Sequence, residues 1–133
     1  MAEQVTFELV SPAKLLLSRG VEMVVVPGAE GDFGVLPRHA PMLSTLRPGV
    51  IAIYENGVAI EKLFVADGFA DVNETSCTVL AEEATPVSEI TLVEAKERMK
   101  QAQEAYQEAD SDAARAAAER GISIAQAMLD AVA

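Results

Sequence analysis

The chain has 133 residues, with ten Lys and Arg against 21 Asp and Glu and a formal net charge of −11. That length makes one large domain or two small ones and buries about two-thirds of the unfolded surface. A charge of this sign repels phosphate backbones, so nucleic acid is excluded as an expected partner. Without a polybasic segment or basic amphipathic helix, direct adsorption to anionic lipid is excluded as well. Membrane association is therefore expected only through partner proteins.

At 50 % hydrophobic and 23 % charged residues, the composition is that of a folded globular chain. The uncharged run from Gly121 to Leu129 falls well short of the ~18 apolar residues of a spanning helix. Met1-Ala2-Glu3-Gln4 carries no basic n-region, so no signal peptide is expected and cytoplasmic residence is the default. Cys77 is the only cysteine, which excludes an internal disulfide and a cysteine-rich zinc site. Its strand-like setting, Ser76-Cys77-Thr78-Val79-Leu80, reads as a buried structural thiol.

Up to about residue 88 the chain consists of short strand-like runs punctuated by Gly, Pro, Asn and Asp. Val5-Thr6-Phe7-Glu8-Leu9 alternates with period two, as a half-buried strand requires. Lys14 falls in a second probable strand, and further runs are expected at Val21 to Val26, Val50 to Tyr54, Val58 to Phe64, Gly68 to Val72 and Thr75 to Leu80. Asn56-Gly57 between two of them is a strong hairpin signal, because both residues tolerate positive φ. Short strands with tight turns and no interleaved helices predict an antiparallel β-sandwich or flattened barrel.

After Pro86 the composition shifts to Ala, Glu, Gln, Lys and Arg, which predicts helix. Thr91 with Glu94 three residues on is a capping-box pair. Leu92, Ala95, Met99, Ala102, Tyr106 and Ala109 then form one apolar stripe. Asp110-Ser111-Asp112 interrupts it with residues that favour caps. A second stripe follows at Ala114, Ala118, Gly121, Ala125, Met128 and Val132. The expected architecture is an all-β sandwich over residues 1–88 and an antiparallel α-helical hairpin over residues 89–133.

Catalytic chemistry finds little support. His39, the only histidine, has no nucleophile or second ligand near it in sequence and reads as a loop residue held by hydrogen bonds. Glu82 and Glu83 are adjacent on a strand, so they point to opposite faces. Gly28, Gly31 and Gly34 miss the dinucleotide fingerprint, no Gly-Lys-Ser/Thr triplet is present, and the glycines read as bends at sheet corners. Phe33 stands out as a large apolar residue in an acidic, glycine-bounded loop, the kind of loop that carries contact residues.

The stretch from Val26 to Leu43, containing Gly28-Ala29-Glu30-Gly31-Asp32-Phe33-Gly34 and Leu36-Pro37-Arg38-His39-Ala40-Pro41, together with Arg47-Pro48-Gly49, resembles the epsilon subunit of the bacterial F-type rotary ATP synthase, the equivalent of the mitochondrial delta subunit. Phe7-Glu8-Leu9-Val10-Ser11-Pro12, Gly68-Phe69-Ala70-Asp71-Val72 and Val79-Leu80-Ala81-Glu82 add to the resemblance, which covers essentially the whole chain. It implies a non-catalytic central-stalk rotor subunit of a proton-translocating synthase, with no cofactor, lying peripherally on the cytoplasmic face of the bacterial membrane. The implied partners are the gamma subunit and the c ring, and transiently the alpha and beta subunits. Glu30, Gly31, Asp32 and Phe33, with His39 adjoining, are the implied contact with the c ring.

Some family members bind ATP through an Ile/Leu-Asp-x-x-Arg-Ala segment, matched here by Ile90-Thr91-Leu92-Val93-Glu94-Ala95. Thr91 and Glu94 replace the Asp and Arg, so the motif is degenerate and no nucleotide ligand is expected. The resemblance implies a hairpin that can inhibit ATP hydrolysis with the help of basic residues on its second helix; nine acidic against five basic residues from Glu89 onward make the expected inhibition weak here. Its apolar stripes favour a closed hairpin, whose opening would expose Met99, Tyr106, Ile124 and Met128 unless gamma covers them. A stand-alone ligand-binding or sensory module that kept the sandwich is the alternative; co-purification with alpha, beta and gamma chains discriminates the two.

Overall fold

The computed structural model describes residues 3–12 and 14–133. Eight strands come first: β1 (Val5–Ser11), β2 (Lys14–Val21), β3 (Met23–Gly28), β4 (Gly31–Val35), β5 (Met42–Thr45), β6 (Gly49–Glu55), β7 (Val58–Val72) and β8 (Ser76–Pro86). A short 3-10 turn (Val87–Glu89) leads to α1 (Leu92–Glu108) and α2 (Asp112–Val132). The chain divides into two compact units, Met1–Pro86 and Val87–Ala133.

In the first unit the strands follow the order β2-β1-β8-β7-β6-β3-β4, with β5 pairing to β7. Period-two alternation puts Val5, Phe7 and Leu9 of β1 into the core and leaves Thr6 and Glu8 outside. Val21, Val24, Val26, Val35, Ile51, Ile53, Val65, Val72, Cys77 and Val79 are among the residues that join them in one apolar cluster. Asn56 and Gly57 turn β6 into β7 with φ of 53° and 75°, the conformation their sequence pattern predicts.

Three features depart from the sequence reading. β1 pairs in parallel with β8, Thr6 opposite Ser76 through Val10 opposite Leu80, so the sandwich is not wholly antiparallel. The glycine-bounded segment expected to be a loop is largely strand: Gly31–Val35 pairs with β3, and only Ala29 and Glu30 form the turn. The runs Val58 to Phe64 and Gly68 to Val72 form a single strand, β7.

β7 works as a corner. Its first half, Val58 to Val65, pairs with β6, and its end, Phe69 to Val72, pairs with β5, while β8 follows it from Leu63 to Val72. At the bend Asp67 has φ 58° and Gly68 has φ 148°. The backbone there runs so close to β8 that a Cβ on Gly68 would lie 1.8 Å from the carbonyl oxygen of Leu80.

The second unit is built from local signals. Thr91, extended at φ −96° and ψ 154°, caps α1 by accepting from the Glu94 amide on Oγ1 at 3.1 Å. Ser111 caps α2 in the same way, accepting from the Ala114 amide at 3.0 Å. Small side chains let the two helices approach closely, and a Cβ on Gly121 would stand 3.5 Å from that of Ala102. Ala95, Ala118, Ile124, Ala125 and Met128 are buried. The stripe expected on α1 is incomplete, because Leu92 and Tyr106 are exposed. Tyr106, 41 % exposed, is only partly covered within the unit.

The Gly68 corner has a direct stability consequence. Gly68→Ala should destabilise the chain by more than about 3 kcal/mol, since both φ and the Leu80 carbonyl forbid a side chain. Gly121→Ala, which enters ordinary van der Waals space, should change stability by less than about 1 kcal/mol and raise α2 propensity. Urea unfolding of the two variants checks both.

Candidate functional site

A cleft of about 460 Å³ opens between the β3–β4 turn and β5, lined by Ala29, Glu30, Gly31, Asp32 and Phe33 on one side and Met42, Leu43, Ser44 and Thr45 on the other. Backbone bonds fix its two walls. The Ala29 amide donates to the Thr45 carbonyl at 2.8 Å, and the Arg47 amide donates to the Pro27 carbonyl at 3.0 Å. Gly28 and Gly31 close the turn as a pair, with Gly31 at φ 139°.

Glu30, Gly31 and Asp32 are exposed at the mouth. Phe33 is not a free loop residue: it is half-buried and packs against the core cluster, with its ring close to Gly28. A Cβ on Gly28 would lie 2.9 Å from Phe33 Cε1 and 2.9 Å from the Gly31 carbonyl oxygen, so Gly28 provides the space for the ring. His39 lies in the connection between β4 and β5, and it does not line the cleft. Its amide donates to the Leu36 carbonyl at 3.2 Å and its Nδ1 is 2.7 Å from the Ala40 carbonyl, the loop role the sequence suggests. The sequence motif therefore brings Glu30 to Phe33 together and leaves His39 apart.

Sequence reasoning missed the opposite wall and its anchor. Met42 and Leu43 are exposed at 36 % and 70 %, a pair of large apolar side chains beside acidic groups. In the sequence they figure only within the stretch that carries the family resemblance, and nothing local signals their exposure. Arg47 was recognised only as part of a turn. Its Nη1 donates to the Gly28 carbonyl at 2.7 Å and its Nη2 pairs with Asp32 Oδ1, joining residues fifteen positions apart.

The degenerate segment Ile90, Thr91, Glu94 and Ala95 lies at the start of α1 in the second unit. Ile90 and Ala95 are buried, Thr91 is committed to the helix cap, and Glu94 is exposed. Among the described residues no group of three or more His, Cys, Asp or Glu could hold a metal ion. No described helix is long and apolar enough to cross a membrane.

The fold and cleft define a class: a small chain with a β-sandwich that presents a surface cleft, followed by a helical hairpin. Residues 4–87 match the family of the ATP synthase delta/epsilon chain, beta-sandwich domain. The chain is 59 % identical over 133 residues to the ATP synthase epsilon chain of Paramagnetospirillum magneticum, covering all of both. It is 51 % identical over 129 residues to that of Rhodospirillum rubrum, covering 97 % of this chain and 96 % of the relative. A chain in the cryo-EM structure of the Euglena gracilis mitochondrial ATP synthase (OSCP/F1/c-ring, rotational state 1) superposes with a TM-score of 0.83 at 25 % identity, covering 98 % of this chain and 82 % of that one. The chain belongs to the ATP synthase delta/epsilon family, and the curated relatives it resembles along its full length are epsilon chains.

Cys77 lies outside the cleft, fully buried in the core, and burial, with a smaller contribution from the Asp71 charge, pushes its thiol up from 9.0 to about 12. Native protein at pH 8 should therefore leave Cys77 unmodified by a thiol reagent that labels it fully in denaturant. A thiol that ionises more readily unfolded than folded stabilises the native state below about pH 9. That stability falls by up to ~1.4 kcal/mol per pH unit as pH rises toward 12. Unfolding free energies at pH 8 to 11 should fall more steeply for the native chain than for Cys77→Ala.

Proposed function

We propose that this chain is a non-catalytic central-stalk subunit of a proton-translocating F-type ATP synthase, its β-sandwich bound to gamma and seated on the c ring. The observation that carries the reading is the match to epsilon chains over the whole length, joined to the fold likeness with a chain of an F1/c-ring assembly. A rotor subunit of such an assembly reaches the membrane through its partners and needs no spanning segment. We place it peripherally on the cytoplasmic face of the bacterial membrane.

On this reading the cleft is the c-ring contact. Glu30 and Asp32 supply acceptors at its mouth, and Met42 and Leu43 supply an exposed apolar wall, a combination suited to a polar loop with an apolar rim. Gly31 shapes the turn, Phe33 anchors it to the core, and His39 stiffens the adjoining segment. Asp32→Cys should cross-link to a cysteine placed in the polar loop of the c subunit. If scanning of Glu30 to Phe33 and of Met42 to Thr45 yields no cross-link, the contact lies elsewhere.

The hairpin is a weak brake on ATP hydrolysis, transiently meeting the alpha and beta subunits. Two features support this. The segment from Glu89 onward is net acidic, and Arg115, one of only two basic residues in α2, already pairs with Asp112 at 3.1 Å. Nor does the start of α1 hold a nucleotide, because Thr91 is engaged as a cap and Glu94 places negative charge where a phosphate would lie. Truncation after Val87 should leave assembly and ATP synthesis largely intact and raise hydrolysis less than about threefold, ~0.7 kcal/mol in barrier terms. A tenfold rise would mean a strong brake, and loss of assembly a structural role.

A further inference from the structure

Arg47 is the one cation among the described residues that build the cleft, and its guanidinium is divided between two acceptors. Nη1 holds the Gly28 carbonyl, the last residue of β3, at 2.7 Å, and Nη2 pairs with Asp32 Oδ1 on β4. The Arg47 backbone is held too, its amide donating to the Pro27 carbonyl at 3.0 Å, while the neighbouring Leu46 amide donates to Gly68 at 3.0 Å. The side chain therefore springs from a segment clamped on both sides. A planar guanidinium whose two nitrogens are both engaged has little freedom left, and it transfers that order to its partner.

The recipient is Asp32, an otherwise exposed carboxylate on an edge strand. A free aspartate there would sample several rotamers. Paired through Oδ1, it keeps Oδ2 as an acceptor with a fixed direction. Preorganisation of this kind strengthens binding by removing an ordering cost at association.

We propose that Arg47 is a positioning residue of the ring-docking cleft, acting through Asp32 by fixing the orientation of its carboxylate. The inference rests on the c-ring reading of the cleft and adds a residue to it. It also states which chemistry matters: a forked cation, not merely a positive charge. Lysine brings a single ammonium nitrogen and lacks the planar fork that aims one nitrogen at the Gly28 carbonyl and another at Asp32.

The test is a double-mutant cycle in the assembled enzyme. Full-length fluorescent chain carrying Arg47→Gln, Arg47→Lys, Asp32→Asn or Arg47→Gln with Asp32→Asn is titrated onto synthase from cells lacking the native subunit, and the melting temperature of each free variant is recorded. Arg47→Gln should weaken association about tenfold when Asp32 is present and less than twofold once Asp32 is Asn, with Arg47→Lys intermediate. Equal losses in both backgrounds would overturn the proposal and leave Arg47 as fold support only, as would full binding by Arg47→Gln. If Asp32→Asn alone binds like the native chain, the docking reading itself fails, and the proposal with it. Should Arg47→Gln melt too low to be titrated, the comparison of Arg47→Lys with and without Asp32→Asn decides the same question: coupling supports positioning and additivity overturns it.

Discussion

The close approach of β7 to β8 at Gly68 is the constraint on which the working surface depends. No side chain fits between that residue and the Leu80 carbonyl, so the two strands can be drawn together where β7 bends from its pairing with β6 to its pairing with β5. A strand that changes partners in this way closes a sandwich corner without a separate connection. The Gly68 carbonyl, turned at the bend, accepts from the Leu46 amide, which sets the segment carrying Arg47. In the proposed positioning of Asp32, the contacts run back through Arg47 and Leu46 to a glycine more than thirty residues away.

The core supplies the rigidity that makes such a chain of contacts useful. Apolar residues from seven of the eight strands meet in one cluster, and none of the described buried side-chain polar atoms lacks a hydrogen-bond partner. Close-packed interiors resist small displacements, so loops attached to them inherit defined positions. Phe33 shows the principle locally: its ring is tied to the core on one side of the strand while Asp32 and Gly34 on the other remain exposed. One strand thereby serves as both anchor and contact surface.

How much of this was legible in sequence depended on the range of the interaction. The Asn56-Gly57 turn, the Thr91 and Ser111 caps and the alternation of β1 all depend on residues within four positions, and the structure bears them out. The edge strand β4 was read as a loop because glycines at 31 and 34 obscure its periodicity, and its order comes from pairing with β3. The parallel partnership of β1 with β8 joins the two ends of the sandwich, which no local pattern encodes. In the cleft, Glu30 to Phe33 stood out through an unusual aromatic residue in an acidic setting. Met42, Leu43 and the Arg47–Asp32 pair stayed hidden because their roles exist only once distant segments meet.

The two units also differ in the physics that holds them. The sandwich depends on non-local strand pairing around large buried side chains, so its contacts join residues far apart in sequence. The helical unit depends on caps and on a packing seam in which alanines, each burying little area, accompany the larger Ile90, Ile124 and Met128. On the function proposed above, the sandwich is the docking platform and the hairpin the regulatory arm, and the composition change at Pro86 marks the division between them.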